Sequence, residues 1–429
     1  MKISQQLNSI YGGFILLLLI LIQLSCKKET PTDKPDDSTP APTSKLDIVW
    51  NKYFYSDSSY ASFNTPQLAD DYIVFSTYMN HGQELGVKVF NKTTGEPHQS
   101  WVNDPIHITN YSSLHNDVVC GSNNDVIALT DRESLIAMDI NSGQIKWTHD
   151  FSPYFGLTIC TKLGDDVIQT FGPWKNTIKR STIGRFNYEN GSMETILTLN
   201  ADDDYDFYIN APAVNISSNN DTILFFITSC VNYYTLDERV DAYAYNMSSD
   251  TMVWKAYDIS ENVFAMSKYP PLIAENKVIF HTGTSFHCFD LETGTLVWEH
   301  VYPQATERFN QNPFAYYEGK VFVKSSVKTP IRAFEMSTGK LIWESHNDIE
   351  IIDGGFDFYK NNIYFTASYL IDNGANKAYG LVCMNTVGGK LMWKEKGVGA
   401  GIIIDQATGY LYGTGANNVM CINLNNIKN

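Results

Sequence analysis

Along most of this 429-residue chain, apolar and small residues alternate for a few positions and then stop at an acidic or amide residue. A short polar run and a glycine follow, then three more residues and a tryptophan. Residues 333–343, AFEMSTGKLIW, show the pattern whole. CFDLETGTLVW (288–298) and AMDINSGQIKW (137–147) are close copies, and CMNTVGGKLMW (383–393) and AYNMSSDTMVW (244–254) are looser ones. VFNKTTGEPHQSW (89–101) carries two extra residues before its Trp, while RFNYENGSMET (185–195) keeps Asn and Gly but has no Trp. Alternation of period two predicts a half-buried strand. The Asp or Asn can bond the backbone two residues on, and the Gly supplies the positive φ of a tight turn. The Trp then opens the returning strand. A strand hairpin recurring at roughly 45–55 residues predicts a propeller or a solenoid.

Each repeat reads as four strands. One copy places them at 313–317, 320–325, 331–335 and 340–344, and the copy before it at 271–274, 277–281, 286–290 and 295–299. Inner strands start near Pro66, Leu114, Thr158, Pro212, Pro271, Pro313, Gly355 and Gly401. The last copy ends at CINLNNIKN without a Trp strand, whereas residues 45–53, KLDIVWNKY, are a Trp strand with no turn before it. The expected fold is therefore all-β: an eight-bladed β-propeller of four-stranded blades over 45–429. The N-terminal strand at about 45–53 completes the last blade, and closure leaves no bare edge strand. Such a ring is expected to be monomeric.

The repeat tryptophans Trp50, Trp101, Trp147, Trp254, Trp298, Trp343 and Trp393 take one structural position per blade, which predicts core wedges between neighbours rather than a ligand box. Seven cysteines are scattered with no CxxC, which excludes a zinc ribbon or a thioredoxin-like site. Cys288, Cys383 and Cys421 stand where other copies have Ala137, Ala244 and Ala333. A slot that takes Ala or Cys is tight and buried, so these three are expected to be free structural thiols. The pattern leaves the state of Cys120, Cys160 and Cys230 open.

Residues 1–25 read as a targeting segment: Lys2, a short apolar core FILLLLILI at 14–22, then Ser25 before Cys26. The core is short for a membrane span. QLSC resembles the lipobox of bacterial lipoproteins, with departures at Gln23 and Leu24, and implies lipid attachment at Cys26. The alternative is an ordinary cleaved signal with an incidental Cys. Residues 27–44 hold no large apolar residue and four prolines, so 26–44 is expected to be a disordered tether. As a coil it would span roughly 25 Å. Aromatic content of 13% and a hydrophobic fraction of 43% suit a β-rich globular domain. A net charge of −16 speaks against nucleic acid as partner.

Copies ending in D-x-x-(T/S)-G-x-x-x-W resemble the pyrroloquinoline-quinone-like β-propeller repeats, a likeness that covers residues 45–429. It implies the fold but not one function, since that superfamily holds quinone-dependent dehydrogenases as well as scaffolds. An eight-bladed ring on a lipid anchor is similar to the lipoproteins of outer-membrane barrel assembly. That resemblance implies a non-enzymatic protein-binding role in the envelope of a Gram-negative-type bacterium, and Lys27 after the Cys points to the outer membrane. The dehydrogenase branch carries adjacent cysteines and an acidic calcium set. No two cysteines are adjacent here, and no such acidic set can be placed, so no cofactor is expected.

GxSxG, HExxH and Walker motifs are absent, and the nine histidines show no metal-ligand spacing. ADDDYDFY (201–208) offers Asp202, Asp204 and Asp206, but Phe207 and Ala213 stand where a calcium loop asks for Gly and Glu. A solvated acidic loop is the expectation. GVGAG (397–401) leads into a strand, so it makes no phosphate cradle. What remains is a candidate ligand face built from connections between second and third strands and between blades: His81, Trp174, Lys175, Tyr233, Tyr234, Arg308, Phe309 and Tyr369. Aromatic and polar side chains on such connections suit a protein partner or a glycan.

Overall fold

The structure is a computed structural model. It describes residues 46–427 apart from 54–64, 80–83, 99–118, 121–125, 131–133, 153–154, 157, 159, 173–179, 201–205, 232–237, 261–268, 303–313, 325–329, 346–348, 353–354, 372–375, 400 and 416–417. Among the described residues the strands form eight antiparallel sheets, and the helical content is one 3-10 turn, Leu424–Asn426. The fold is all-β, as the alternation requires.

The sheets follow one another along the chain, and the first seven add their strands in sequence order from first to last. The sixth pairs Phe314–Tyr317, Lys320–Val323, Ile331–Glu335 and Leu341–Ser345, and the fifth pairs Leu272–Ala274, Lys277–His281, Ser285–Asp290 and Leu296–Val301. These match the expected strands within one or two residues. In the eighth sheet Ile48–Tyr53 lies beside Asn418–Asn423, with Trp50 opposite Cys421. That strand, more than 360 residues away in sequence, takes the outermost place that the last repeat does not fill.

Three first strands depart from expectation by coming in two pieces. Phe155–Gly156 and Thr161–Leu163 both pair with Asp166–Gly172. Asp206–Ile209 and Ala213–Ile216 both pair with Thr222–Val231, and Ile349–Ile352 and Asp357–Tyr359 both pair with Asn362–Ile371. Residues 206–208 are thus strand, not the tail of an acidic loop; Asp202 and Asp204 lie outside the described residues. The break in the fourth sheet falls at Pro212, which has no N–H for the ladder. Asn210 bridges it: its N–H donates to the Ile227 carbonyl and its Oδ1 accepts from the Ile227 N–H.

The repeated turn explains the repeated tryptophan. Asn91, Asn187, Asn246, Asp290 and Asn385 each accept two backbone N–H groups from the next two or three residues, which pins the turn. After all of these but Asn246, the residue four on is a glycine with φ near +70°. Its missing Cβ matters more than its φ. A Cβ on Gly339 would sit 2.6 Å from the indole of Trp298, which belongs to the sheet before, and one on Gly294 would sit 2.5 Å from that of Trp254. Gly95, Gly191 and Gly389 meet Trp50, Trp147 and Trp343 in the same way.

Five of the indole N–H groups then donate to the carbonyl one residue past the turn's acidic or amide residue: Trp50 to Lys92, Trp147 to Tyr188, Trp254 to Leu291, Trp298 to Met336 and Trp343 to Thr386, at 2.7–3.2 Å, whereas the buried Trp393 Nε1 has no partner among the described residues. These tryptophans therefore wedge between neighbouring sheets as the repeat predicts. Trp147 does so half-buried, and Trp101 lies outside the described residues.

The small slot has the same origin. Ala137, Ala244, Ala333, Cys288, Cys383 and Cys421 each lie directly across the strand pair from the sheet's own Trp. Facing side chains share one side of the sheet about 5 Å apart, so only a small group leaves the indole its place. All three cysteines are buried free thiols, and burial pushes each up to about 12.

One junction breaks the rule on both sides. The third sheet's outermost strand, Met193–Asn200, has no Trp, and the turn that follows in the fourth sheet has Asp250 (φ 54°) in place of Gly. With no indole to admit, the Cβ is tolerated, and the carboxylate accepts a hydrogen bond from the Tyr245 hydroxyl. Aliphatic packing of Leu197 and Ile196 against Leu224 and Tyr245 fills the space. Gly339→Ala should therefore lower stability by about 2 kcal/mol or more, since left-handed backbone alone costs ~1–2 kcal/mol for a residue with a Cβ. Asp250→Gly, at the equivalent position, should change stability by less than about 1 kcal/mol. Urea unfolding of the two variants in parallel checks the contrast.

Candidate functional site

Strand order divides each sheet into two ends. First-to-second and third-to-fourth connections are tight turns at one end, held by the Trp contacts. Second-to-third connections open at the other. The segments carrying His81, Trp174 with Lys175, and Tyr233 with Tyr234 join second and third strands of the first, third and fourth sheets. These residues themselves lie outside the described residues, as do Arg308, Phe309 and Cys26. Tyr369 is placed by its backbone, opposite Ile349 and Ala378 near the same end of the seventh sheet; its side chain is outside the description.

What the described residues add at this end is a layer of buried polar groups that sequence reading did not single out. In the fourth sheet the Asp241 carboxylate has no exposed surface and accepts from Arg239 Nε at 3.1 Å and from the Asp258 N–H at 2.8 Å. Burial, followed by this carboxylate, raises Tyr243 to about 12. In the sixth sheet Arg332 Nε donates to Glu344 at 2.6 Å while its guanidinium lies 4.8 Å from the centre of the Tyr302 ring. Lys324, also buried, sits 5.8 Å over Phe356. In the third sheet Gln169 ties Thr158, Thr170 and Cys160 together, with the Cys160 thiol donating at 3.0 Å. Cys160 and Cys230 are buried thiols, the latter 4.0 Å from the Arg239 guanidinium.

The fifth sheet carries the densest group. Its second-to-third connection is a three-residue turn closed by the Thr282 N–H donating to Ser285. The Thr282 and Ser285 hydroxyls are 2.6 Å apart, Ser285 Oγ is 2.8 Å from His287 Nε2, and His287 Nδ1 is 3.3 Å from Glu299 Oε2. Burial lowers His287, and the Glu299 charge opposes it. His281, on the opposite face of the same strand pair, is 2% exposed against Phe314, and burial brings it down to about 3. The signal for this layer is present in the chain. Apolar alternation fails at the ends of second strands, in FITSC, IFHTGTSFH and FTASY, where hydroxyls and imidazoles replace aliphatics.

The fold resembles that of the pyrroloquinoline-quinone-like β-propellers. Residues 232–426 match the family described as "Outer membrane protein assembly factor BamB". Among solved structures, BamB from Moraxella catarrhalis is 13% identical, with 89% of this chain covering 100% of that one at a TM-score of 0.54. A europium-containing methanol dehydrogenase is 9% identical, over 88% of this chain and 93% of that one, with a TM-score of 0.62. The quinohemoprotein alcohol dehydrogenase from Comamonas testosteroni is 11% identical, over 88% and 76%, with a TM-score of 0.62. At these identities the likeness is one of fold. No curated protein sequence matches the chain.

Proposed function

We propose that this chain is an envelope-anchored lipoprotein whose propeller serves as a protein-binding or assembly scaffold. Residues 1–25 would be the signal peptide, Cys26 the lipid attachment point, 26–44 the tether, and 45–429 a closed eight-bladed, monomeric ring on the outer membrane. Closure is supported by Trp50, whose strand pairs in the eighth sheet while its indole seats on the first sheet's turn at Lys92 and Gly95. Lys52 with Glu96, and Lys92 with Asp405, join the same two sheets.

The observation that carries the scaffold reading is the match of 232–426 to the assembly-factor family. A division of labour between the two ends of the sheets supports it: turns pinned by side-chain hydrogen bonds at one, and at the other a layer of buried polar groups where the second strands end. The quinone dehydrogenases share the fold, and their cofactor does not transfer with it.

The test is affinity purification of the full-length, lipidated protein from gently crosslinked envelopes, read by mass spectrometry. Recovery of barrel-assembly components is expected. Recovery of nutrient-uptake receptors, or of no protein, would overturn the assembly role. Saturable sugar binding lost on Trp174→Ala would then make the same face a glycan site.

A further inference from the structure

The line of groups across the fifth sheet is in the order that activates a hydroxyl. Ser285 Oγ meets His287 Nε2 at 2.8 Å, and the other ring nitrogen, Nδ1, meets Glu299 Oε2 at 3.3 Å. An imidazole held by a carboxylate through Nδ1 presents Nε2 as base to the hydroxyl, which is the arrangement of a nucleophilic serine recognised by geometry rather than by sequence motif. Strand pairing builds it. His287 lies opposite Glu299, Ser285 is two residues earlier on the same face, and Thr282 is tied to Ser285 across the turn.

The face in question looks toward the fourth sheet. Phe280 and Val278 pack with Phe225 and Ile227 of that sheet in one core cluster. Alternation continues the facing sides of the two sheets with Thr282 after Phe280 and Ser229 after Ile227. Ser229 is 1% exposed, and its hydroxyl has no partner among the described residues. A buried hydroxyl left unpaired costs about 1–3 kcal/mol, so a polar group that accepts from it would be bound favourably. An acyl carbonyl oxygen is such an acceptor. Burial keeps His287 neutral at neutral pH, the form a general base needs.

We propose that Ser285 is an activated nucleophile, with His287 as its base and Glu299 as the positioning residue, that takes compact acyl esters in the space between the fourth and fifth sheets. Ser285 Oγ bonds to the acyl carbon and its proton passes to His287 Nε2. The ester C–O bond breaks, and the leaving oxygen takes that proton. Water then adds to the acyl carbon with His287 again accepting the proton, and Ser285 Oγ departs with it. The sum is ester plus water giving acid plus alcohol. Ser285 is 2% exposed, which restricts the acyl group to a small one.

The experiment uses the full chain and p-nitrophenyl acetate as probe. The expected result is a burst of one p-nitrophenolate per chain, one acetyl group added to the intact mass, and peptide mapping of that acetyl to Ser285. Ser285→Ala should abolish the burst, and Glu299→Gln should slow acylation by about 10²-fold or more through the misheld imidazole. The wild-type rate should already be flat above about pH 6.5, because the base sits below the ordinary histidine value; Glu299→Gln should alter that profile. Mapping on wild-type protein needs no variant to fold. No acetylation, acetyl on lysines alone, or a burst unchanged in Ser285→Ala would overturn the proposal. None of these outcomes bears on what the envelope crosslinking recovers.

Discussion

Trp298→Ala is expected to lower the unfolding free energy by about 3–5 kcal/mol. The indole is 8% exposed and meets Phe286 edge-to-face, with ring centres 6.1 Å apart. Its N–H donates to the Met336 carbonyl at 2.9 Å, and Gly339 lies flat against its face. Truncation opens a cavity between the fifth and sixth sheets and leaves the Met336 carbonyl without its side-chain donor. Both terms act at one junction. Equilibrium urea unfolding followed by far-UV circular dichroism measures the loss. A value below about 1 kcal/mol would mean that the Trp–turn contact does not hold the junction.

The second large effect is a pH dependence. His281 is buried with Nε2 unpartnered among the described residues, and burial takes it from 6.5 down to about 3. Between those values the unfolded chain binds the proton and the folded chain does not. Stability therefore rises with pH across that window and is lost as pH falls below 6.5. At 1.36 kcal/mol per pH unit, going from pH 7 to pH 4 removes on the order of 3 kcal/mol through this one side chain.

His281→Leu removes the titrating group while keeping an apolar contact for Phe314. The variant's stability relative to wild type is expected to grow by about that amount over the same pH range. Asp357 works in the opposite sense. Burial raises it to about 6 even though the Phe358 and Ile404 N–H groups donate to it, so its share of stability falls as pH rises from 3.8 to about 6. Comparing wild type with His281→Leu cancels the Asp357 contribution, since both proteins carry it. Parallel curves for the two proteins from pH 7 to pH 4 would remove His281 from the account.

The fold was readable because its unit is local. The turn depends on one Asp or Asn bonding the next two N–H groups and on one glycine, all within five residues, and the chain repeats that string. Strand positions in the fifth and sixth sheets follow within a residue or two. The role of the N-terminal strand was readable by subtraction: one Trp strand too many at the start and one too few at the end.

The third-to-fourth junction shows where reading strings one at a time stops. The absent Trp in 185–195 and the Asp at 250 look like two separate lapses in the sequence. They are one event, because the lost indole and the tolerated Cβ share the same space in neighbouring sheets. The two-piece first strands escaped for a related reason. Whether a strand pauses at Asn210 and Pro212 depends on how far its partner, Thr222–Val231, extends beyond it.

The sequence by itself determined the strand and turn of each repeat, the small slot and the Trp, because those follow from alternation, turn chemistry and side-chain size at fixed spacing. Only the tertiary structure decided which turn each Trp seats on, why the facing slot must be small, and that Ser285, His287 and Glu299 form one hydrogen-bonded line. The reason is physical: a sheet sets side chains on one face at 4.5–5.5 Å across strands whatever their separation in the chain. The apolar code records that a residue is buried, but not what it is buried against.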